Sequence, residues 1–598
     1  MLVKFIGGIR HLTGSCTWLN QEDQSVQLLV DCGLYQGSGE VETWNHKEFP
    51  FKPSELNFVL LTHAHIDHCG LIPKLYAEGF TGRVICTEAT AKLATISLLD
   101  AAKINLGSPN PLFYKRDVES IKFDYIDNRS VFKWGKDIII SQNLSVTFLR
   151  SSHILGAAAI VVSWQLNESS PMKSMHFSGD IGNNSDQSSY LPMLKNNQNP
   201  FHTTDYILVE STYGSNNRDV RYKSAENRLA MLDKVITKTL AVGGRVLIPT
   251  FAIQRSQEIT LDLWAWVNRY IETNPVNQQG RPIKILINSP MIFKANRIFY
   301  EGLVKKLKGK PEKNQYLRED LEEYIQDKGD IKDDSKGLDF TTYLKWMFDT
   351  SGHDKKLNRL KYSSNAVEGD DPKVIFNCSN VYPLKDVDYD IVLASSGMCT
   401  GGPIIKFLKD NSAGTHTILL TGFQAANTPG SAFTSQAVNL LDDELTPIEN
   451  GQVVADMSGF YSGHADQETL LDYLFTGVDN KRSKPATIFI NHGLDESKTE
   501  LKEAIETRSK SGIGRAIKSV HVAEVSDKWF DLNSGTYIQD RKDNLSSDAR
   551  LTAVEEDLSD IKGLLKQLIN IQRHQLAITL DSRERAILKG QAKSKKFK

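Results

Sequence analysis

Short apolar runs that stop at a ligand-type side chain recur along the first 214 residues. Asn57-Phe58-Val59-Leu60-Leu61 ends in Thr62-His63-Ala64-His65-Ile66-Asp67-His68, and Leu28-Leu29-Val30 ends in Asp31 before a glycine-rich turn. Leu144 to Leu149 alternates as a strand and leads to His153; Met175-His176-Phe177 leads to Asp180 between two glycines; Tyr206-Ile207-Leu208-Val209 leads to Glu210. Continuous apolar runs of this length read as strands covered on both faces. Leu71 to Leu75 carries apolar residues at helical spacing, so the histidines fall in a loop between strand and helix. From about 215 to 458 helices alternate with strands at 245–249, 283–287, 391–394 and 418–420, a βαβ pattern that predicts an α/β layer. The first texture then returns. Ser462-Gly463-His464-Ala465-Asp466 precedes a helix, and the apolar strand from Ala486 ends at Asn491-His492-Gly493. Ligand-bearing strand ends on both sides of the middle block imply that this block is inserted into the first domain.

Two further stretches stand apart. The charge-rich segment 305–372 reads as a helical insertion on the surface. Leu551, Val554, Leu558, Ile561, Leu565 and Leu568 are spaced 3-4-3-4-3, which predicts either a coiled coil or a helix docked on its own domain. The lysine-rich end reads as a basic tail, for solubility or for weak RNA contact.

The side chains at the strand ends suggest metal chemistry. His63 and His65 lie two apart and point the same way from an extended segment, whereas Asp67 and His68 can turn toward a second point nearby. The pattern suggests two metal ions a few ångströms apart. Asp31 either caps its turn or orients a metal-binding histidine from behind. Asp180 either initiates a turn or bridges two metals, which an imidazole in a protein does not normally do. Ser395-Ser396-Gly397-Met398-Cys399-Thr400-Gly401-Gly402 leaves backbone N–H groups free to face an anion, and Arg255 can line the same cleft.

Composition narrows the class. A chain of 598 residues with 40% hydrophobic and 24% charged residues is an ordinary globular protein of two or three domains. No apolar stretch of about 18 residues supports a membrane span. Six scattered cysteines without a CxxC pair argue against a disulfide framework or a cysteine zinc knuckle, and point to the cytoplasm. The net charge of −2 gives no global nucleic-acid signal.

Taken in order, His63-Ala64-His65-Ile66-Asp67-His68, His153, Asp180 and Asp31 resemble the first motifs of the metallo-β-lactamase fold. Glu210-Ser211-Thr212-Tyr213-Gly214, Ser462-Gly463-His464-Ala465-Asp466 and Asn491-His492-Gly493 resemble motifs A, B and C of its β-CASP branch. That branch includes the pre-mRNA 3′-end cleavage endonuclease, its prokaryotic relatives and RNase J. The resemblance spans roughly residues 1–520. It implies an αββα sandwich built from residues 1–214 and a return segment 459–540, with an inserted α/β β-CASP domain at 215–458; the C-terminal helix and tail expected at 541–598 and the 305–372 insertion have no counterpart in it. It implies one zinc held by His63, His65 and His153, a second by Asp67, His68 and His492, and Asp180 bridging both, with Asp31 behind. It further implies ribonuclease activity (endonuclease, 5′-to-3′ exonuclease or both) on RNA, with Asp67, His464 and Glu210 in the chemistry. His464 would be the general acid, held protonated by Glu210, and Ser396, Gly397, Gly401, Gly402 and Arg255 would grip neighbouring phosphates. The C-terminal helix would offer a surface for a second copy or another protein. The motif-C histidine and glycine are often followed by glutamate; here Leu494 stands there. The rival readings are a small-molecule metallo-hydrolase of the same fold and an inactive scaffold that binds RNA or a partner.

Overall fold

The computed structural model describes residues 1–538 apart from 10, 23–24, 38, 127–133, 168, 185–192, 271–282, 305–315, 319–320, 322–357, 363–373, 380–387, 426, 441–444, 448–449, 479–480, 482 and 525–527. The seam expected at 541–598 lies outside the described residues.

Two sheets pack face to face. In the first, Leu2–Gly7, Cys16–Gln21, Val26–Val30, Phe58–Leu60, Arg83–Thr87 and Phe123–Ile126 lie side by side in chain order, with Phe530 and Asp531 paired outside Leu2–Gly7. The second runs Ile517–Val522, Ala486–Asn491, Tyr206–Glu210, Lys173–Phe177, Ala158–Trp164, Leu144–Arg150, Asp137–Ser141. The strand Tyr206–Glu210 shows why this sequence must be sandwiched. Tyr206 and Leu208 point into the core shared with the first sheet, beside Phe5, Leu28 and Val30. Ile207 and Val209 point the other way, against Leu470 and Leu474 of the helix Gln467–Phe475 and Leu501 of the helix Asp495–Lys510. Side chains alternate along a strand, so a run that is apolar on both faces is stable only when both are covered. Each such Leu or Ile contributes roughly 1.5–3 kcal/mol on burial. The outer face of the first sheet is covered by the helices Ile72–Ala77 and Glu88–Asn105 through Ile72, Leu75, Leu93 and Leu98. The result is an αββα sandwich.

The return of the chain is visible in the register. Ala486–Asn491 lies parallel to Tyr206–Glu210, with Glu210 opposite Asn491. A third sheet holds the residues between: Asn358–Tyr362, Val374–Ser379, Ile283–Asn288, Ile391–Ala394, Val246–Pro249, Thr417–Leu420, Val453–Asp456 and Val438–Asn439, in that order. All but one of its neighbouring pairs are parallel. The α/β layer is thus inserted as a β-CASP-type block in the sandwich.

The segment 305–372 differs from expectation. Among its described residues is the strand Asn358–Tyr362, antiparallel to Val374–Ser379. Tyr316 and Leu317 are buried, and Leu317 bridges to Leu194. An apolar pair in a charge-rich stretch is used here for docking, so the segment is not only a surface helix.

Candidate metal centre

The strands that carry the ligand-type residues are parallel where they are neighbours. Val26–Val30 is parallel to Phe58–Leu60, and Lys173–Phe177, Tyr206–Glu210 and Ala486–Asn491 are parallel to one another. Their carboxyl ends therefore open on one edge of the sandwich, which brings Asp31, His63, Asp180, Glu210 and His492 together. The segment after Phe58–Leu60 is extended through His65 and then turns into a single helical turn, Ile66–Cys69, that presents Asp67 and His68. This turn is tied down by backbone bonds: Ser15 N to Asp67 O at 2.8 Å, Cys32 N to His68 O at 2.8 Å and Leu34 N to Ile66 O at 3.0 Å. Gly33 is needed for that approach, because a Cβ there would lie 1.6 Å from Asp67 O.

The side chains form three groups whose ligand atoms converge: His63, His65, His153 and Asp180; Asp67, His68 and His492; and Asp180, Glu210 and His464. In the first, His65 Nδ1 is 3.1 Å from His63 Nε2 and 3.0 Å from His153 Nε2. In the second, His68 Nε2 is 3.1 Å from His492 Nε2, and His492 Nε2 is 3.6 Å from Asp67 Oδ2. Asp180 faces both. Its Oδ2 lies 3.4 Å from His63 Nε2 and 3.5 Å from His153 Nε2, while Oδ1 lies 3.1 Å from His68 Nε2 and 3.7 Å from His492 Nε2.

The outer ring nitrogens show which atoms are left for metal. His68 Nδ1 meets Asp31 Oδ2 at 2.7 Å, His153 Nδ1 meets Gly463 O at 2.7 Å, His63 Nδ1 is 3.1 Å from Thr62 Oγ1, and His492 Nδ1 is 3.3 Å from Thr212 Oγ1. A proton placed on each Nδ1 leaves the four Nε2 lone pairs pointing inward, the arrangement that outer carboxylates and carbonyls impose on metal-binding histidines. Asp180 Oδ1 is buried without a hydrogen-bond donor among the described residues. Nitrogen lone pairs crowded on a donor-free carboxylate fit a divalent cation and little else.

The electrostatics divide the histidines. Burial pushes His63, His65 and His153 toward the neutral, ligating form, His65 to about 3, although Asp180 opposes it in each. Burial would also lower His68, but Asp180 and Asp31 on either side raise it well above the ordinary value. For Asp67 and Asp180 burial acts to raise the carboxyl, and the surrounding histidines outweigh it and hold both below the usual carboxylate range. Burial would lower His492 as well, but Asp180 and Asp67 raise it, and His464 is raised in the same way. Burial disfavours its charge, yet Glu210, with Oε2 at 3.2 Å and Oε1 at 3.3 Å from Nδ1, lifts it to about 9. Glu210 is itself held by Ile181 N at 2.6 Å and Thr212 Oγ1 at 2.5 Å. The ring of His464 remains 23% exposed, which leaves it open to a bound substrate.

Arg255 comes close to this centre. Its guanidinium lies 5.5 Å over the Tyr461 ring and donates to Thr421 O, and a Cβ on Gly463 would sit 3.8 Å from Arg255 Nη2 and 3.4 Å from His153 Cε1. The loop with Ser396, Gly397, Gly401 and Gly402 stands behind it: Gly397 abuts Phe251, whose ring also packs on Gly422, and Gln424 Nε2 donates to Gly397 O at 3.0 Å. A Cβ on Gly401 would meet nothing within 4 Å, so this stretch of the loop faces open space. The structure adds residues that sequence reasoning passed over. Thr62 links Asp31 to the first histidine, its backbone N donating to Oδ1 and its hydroxyl to Oδ2, both at 2.8 Å. Asp466 N-caps the helix Gln467–Phe475 and pairs with Lys223 at 2.7 Å, so it braces the His464 loop. Leu494, where glutamate was expected, is 61% exposed at the start of the helix Asp495–Lys510, away from the packing that fixes His492.

With fold and geometry in hand, comparison with known proteins gives one answer. Residues 10–145 match the metallo-beta-lactamase superfamily, 257–433 the Beta-Casp domain and 452–521 the Zn-dependent metallo-hydrolase RNA specificity domain. The chain belongs to the metallo-β-lactamase superfamily, in the hydrolase branch that carries a β-CASP insertion. It is similar to ribonuclease TTHA0252 of Thermus thermophilus, 29% identical over 510 residues that cover 84% of this chain and 96% of that protein. Transcription termination factor FttA of Methanocaldococcus jannaschii is 27% identical over 503 residues, 83% of this chain and 67% of that one. An RNase J-like protein of the same organism is 26% identical over 499 residues, 82% and 92%. The fold implies a divalent metal, and the histidine–aspartate cluster offers ligand-type side chains that could hold one.

Proposed function

We propose that this protein is a zinc-dependent ribonuclease that hydrolyses RNA phosphodiester bonds with two metal ions. The observation that carries the reading is the orientation of Asp180, one oxygen toward each cluster of histidine nitrogens. His63, His65 and His153 would hold one ion and Asp67, His68 and His492 the other, with Asp180 shared and Asp31 fixing His68. Two zinc ions held there would supply a water activated near neutral pH and positive charge for the phosphate oxygens. His464 keeps a proton at neutral pH and has an exposed edge, so it donates to the leaving oxygen, with Glu210 holding the ring in place. Asp67, 15% exposed at the mouth, orients the attacking water. Arg255 and the Ser396–Gly402 backbone hold the flanking phosphates.

The RNA substrate is supported by the matched RNA specificity domain and by relatives named as ribonucleases. We assign the sandwich to 1–214 and 459–540 and the inserted domain to 215–458. A cytoplasmic location is supported by five buried free cysteines among the described residues. The test is a cleavage assay on RNA labelled at either end, beside a matched DNA, with and without chelator, together with zinc counted per chain. We expect chelator-sensitive RNA cleavage and two zinc ions, with product lengths assigning endonuclease or 5′-to-3′ exonuclease action. A zinc-loaded chain that hydrolyses small esters but leaves RNA intact would make it a small-molecule hydrolase; a metal-free, RNA-binding chain would make it a scaffold.

A further inference from the structure

The helix Arg255–Tyr270 has a side that is polar and yet buried. Gln254, just before it, Glu258 and Asp262 stand four residues apart, one turn each, and are 7%, 2% and 1% exposed. Buried polar groups persist only when they are partnered, and here Leu155 and Tyr461 of the sandwich supply a partner at each end. At one end, Gln254 Oε1 accepts the Leu155 N–H at 3.0 Å, two residues beyond His153. In the middle, Gln254 Nε2 donates to Glu258 Oε1 at 2.6 Å. At the other end, Asp262 is gripped by the Arg228 fork at 2.7 and 3.2 Å and accepts the Tyr461 hydroxyl at 2.6 Å. Tyr461 immediately precedes Ser462-Gly463-His464.

The loops reached by the two ends also hold each other, since His153 Nδ1 lies 2.7 Å from Gly463 O. The carboxamide of Gln254 has one orientation that satisfies both neighbours. Leu155 N–H can only donate, so the oxygen must face it and the amino group must face Glu258. Gln254 also takes left-handed backbone, φ 66°, which a non-glycine residue keeps only when its surroundings hold it.

We propose that Gln254, Glu258 and Asp262 form a positioning ladder through which the inserted domain sets the His153 loop against the His464 loop. The metal group that contains His153 is then in place only when the inserted domain is seated. This rests on the ribonuclease reading for its purpose, but its geometry stands apart from it. Burial, and next the charge of Asp262, raise the Glu258 carboxyl to about 7 against the pull of Arg228, the Gln254 hydrogen bond and Arg255, so near neutral pH it is only partly ionised beside Asp262. Its other oxygen, Oε2, has no partner among the described residues.

The test exchanges the two ends of one rung in the full-length chain. Gln254→Asn keeps a residue that tolerates the left-handed backbone but is a methylene too short to span Leu155 and Glu258. Hydrogen exchange of the Leu155 amide, followed in metal-loaded and metal-stripped protein, should quicken by about tenfold, the size of one hydrogen bond. Zinc affinity at the His63, His65, His153 and Asp180 group should fall about tenfold, with the Asp67, His68 and His492 group unchanged. Gln254→Glu alone sets two carboxyls face to face and should behave likewise. Combined with Glu258→Gln it restores acceptor, donor and contact in reversed order, and both readouts should return to those of the natural protein. The ladder is overturned by Leu155 exchange that does not change in Gln254→Asn, by faster exchange with unchanged zinc affinity, or by a double variant no better than Gln254→Glu. A chain that binds no zinc would end the ribonuclease reading and leave the exchange data to judge the ladder alone.

Discussion

The two groups of ligand-type residues are assembled in different ways. His63, His65, His153 and Asp180 all lie in the first 180 residues, on strands and loops of one continuous stretch. Asp67, His68 and His492 need the strand Ala486–Asn491, which enters the sheet only after the inserted block. The first group is nevertheless the one braced from beyond that stretch, by Gly463 of the return segment behind His153 and by Gln254 of the inserted domain behind Leu155. The second is braced from within the sandwich, by Asp31 on His68 and by Gly8 O accepting His492 N at 2.7 Å. Closeness in sequence and independence of support are thus separate properties. A centre can be locally encoded and still depend on a distant domain for its alignment.

Variants can push this contrast until it breaks. Asp180→Ala removes the one residue both groups share, so zinc should fall below one ion per chain and RNA cleavage should drop on the order of 10⁴-fold or more. Two ions retained in that variant, counted by elemental analysis, would remove the bridging role. His492→Ala should cost one ion and spare the other, with cleavage falling by more than the roughly 100-fold typical of outer partners. If both ions disappear together, the groups are not separable and the comparison fails. Asp31→Asn should weaken zinc at the His68 group by about 10- to 100-fold while leaving the His63 group as it is. It should also lower stability by about 1–3 kcal/mol, because the Thr62 amide and hydroxyl both lose a charged acceptor.

Glu210→Gln sharpens the contrast between ligands and the proton donor. His464 is raised to about 9 by Glu210, so its acid form is present below that pH and is lost as pH rises through it. Without the carboxylate charge the loss should begin nearer the ordinary histidine value of about 6.5. The alkaline limb of kcat/KM should therefore move to lower pH, with zinc content unchanged; an unmoved limb would take His464 out of the proton transfer. The smallest effect is expected for Arg255→Lys, which keeps charge but loses the planar fork. KM for RNA should rise by roughly 3- to 10-fold with little change in kcat.

How much of this was written in the chain depends on range. His63, His65, Asp67, His68 and Asp180 were legible because each ends an apolar strand, where a polar side chain has little reason to be unless it is used. His492 was legible by the same rule and His464 from its small-residue loop before a helix, with the family motifs supplying which group they join. The strands 391–394 and 418–420 were read to within a residue because buried parallel strands are continuous apolar runs. Thr62, Gln254, Asp262 and Tyr461 were not legible. Nothing local distinguishes them, and their importance arises from partners such as Leu155 and Gln254, 99 residues apart. The segment 305–372 misled for a related reason: its many charged residues spoke for the surface, whereas the buried Tyr316 and Leu317 dock it.

The parallel pairing of Glu210 with Asn491 has a consequence for the protein's own synthesis. Ser211 and Asn491, joined at 2.8 Å, are 280 residues apart in sequence. At about 5–20 residues per second, tens of seconds pass on the ribosome between their appearances. Until then His68 and Asp67 wait without His492, and His464 has not yet been made. On the proposed ribonuclease reading, a half-finished copy lacks the second ligand group and the proton donor, and stays inactive until the sheet has closed.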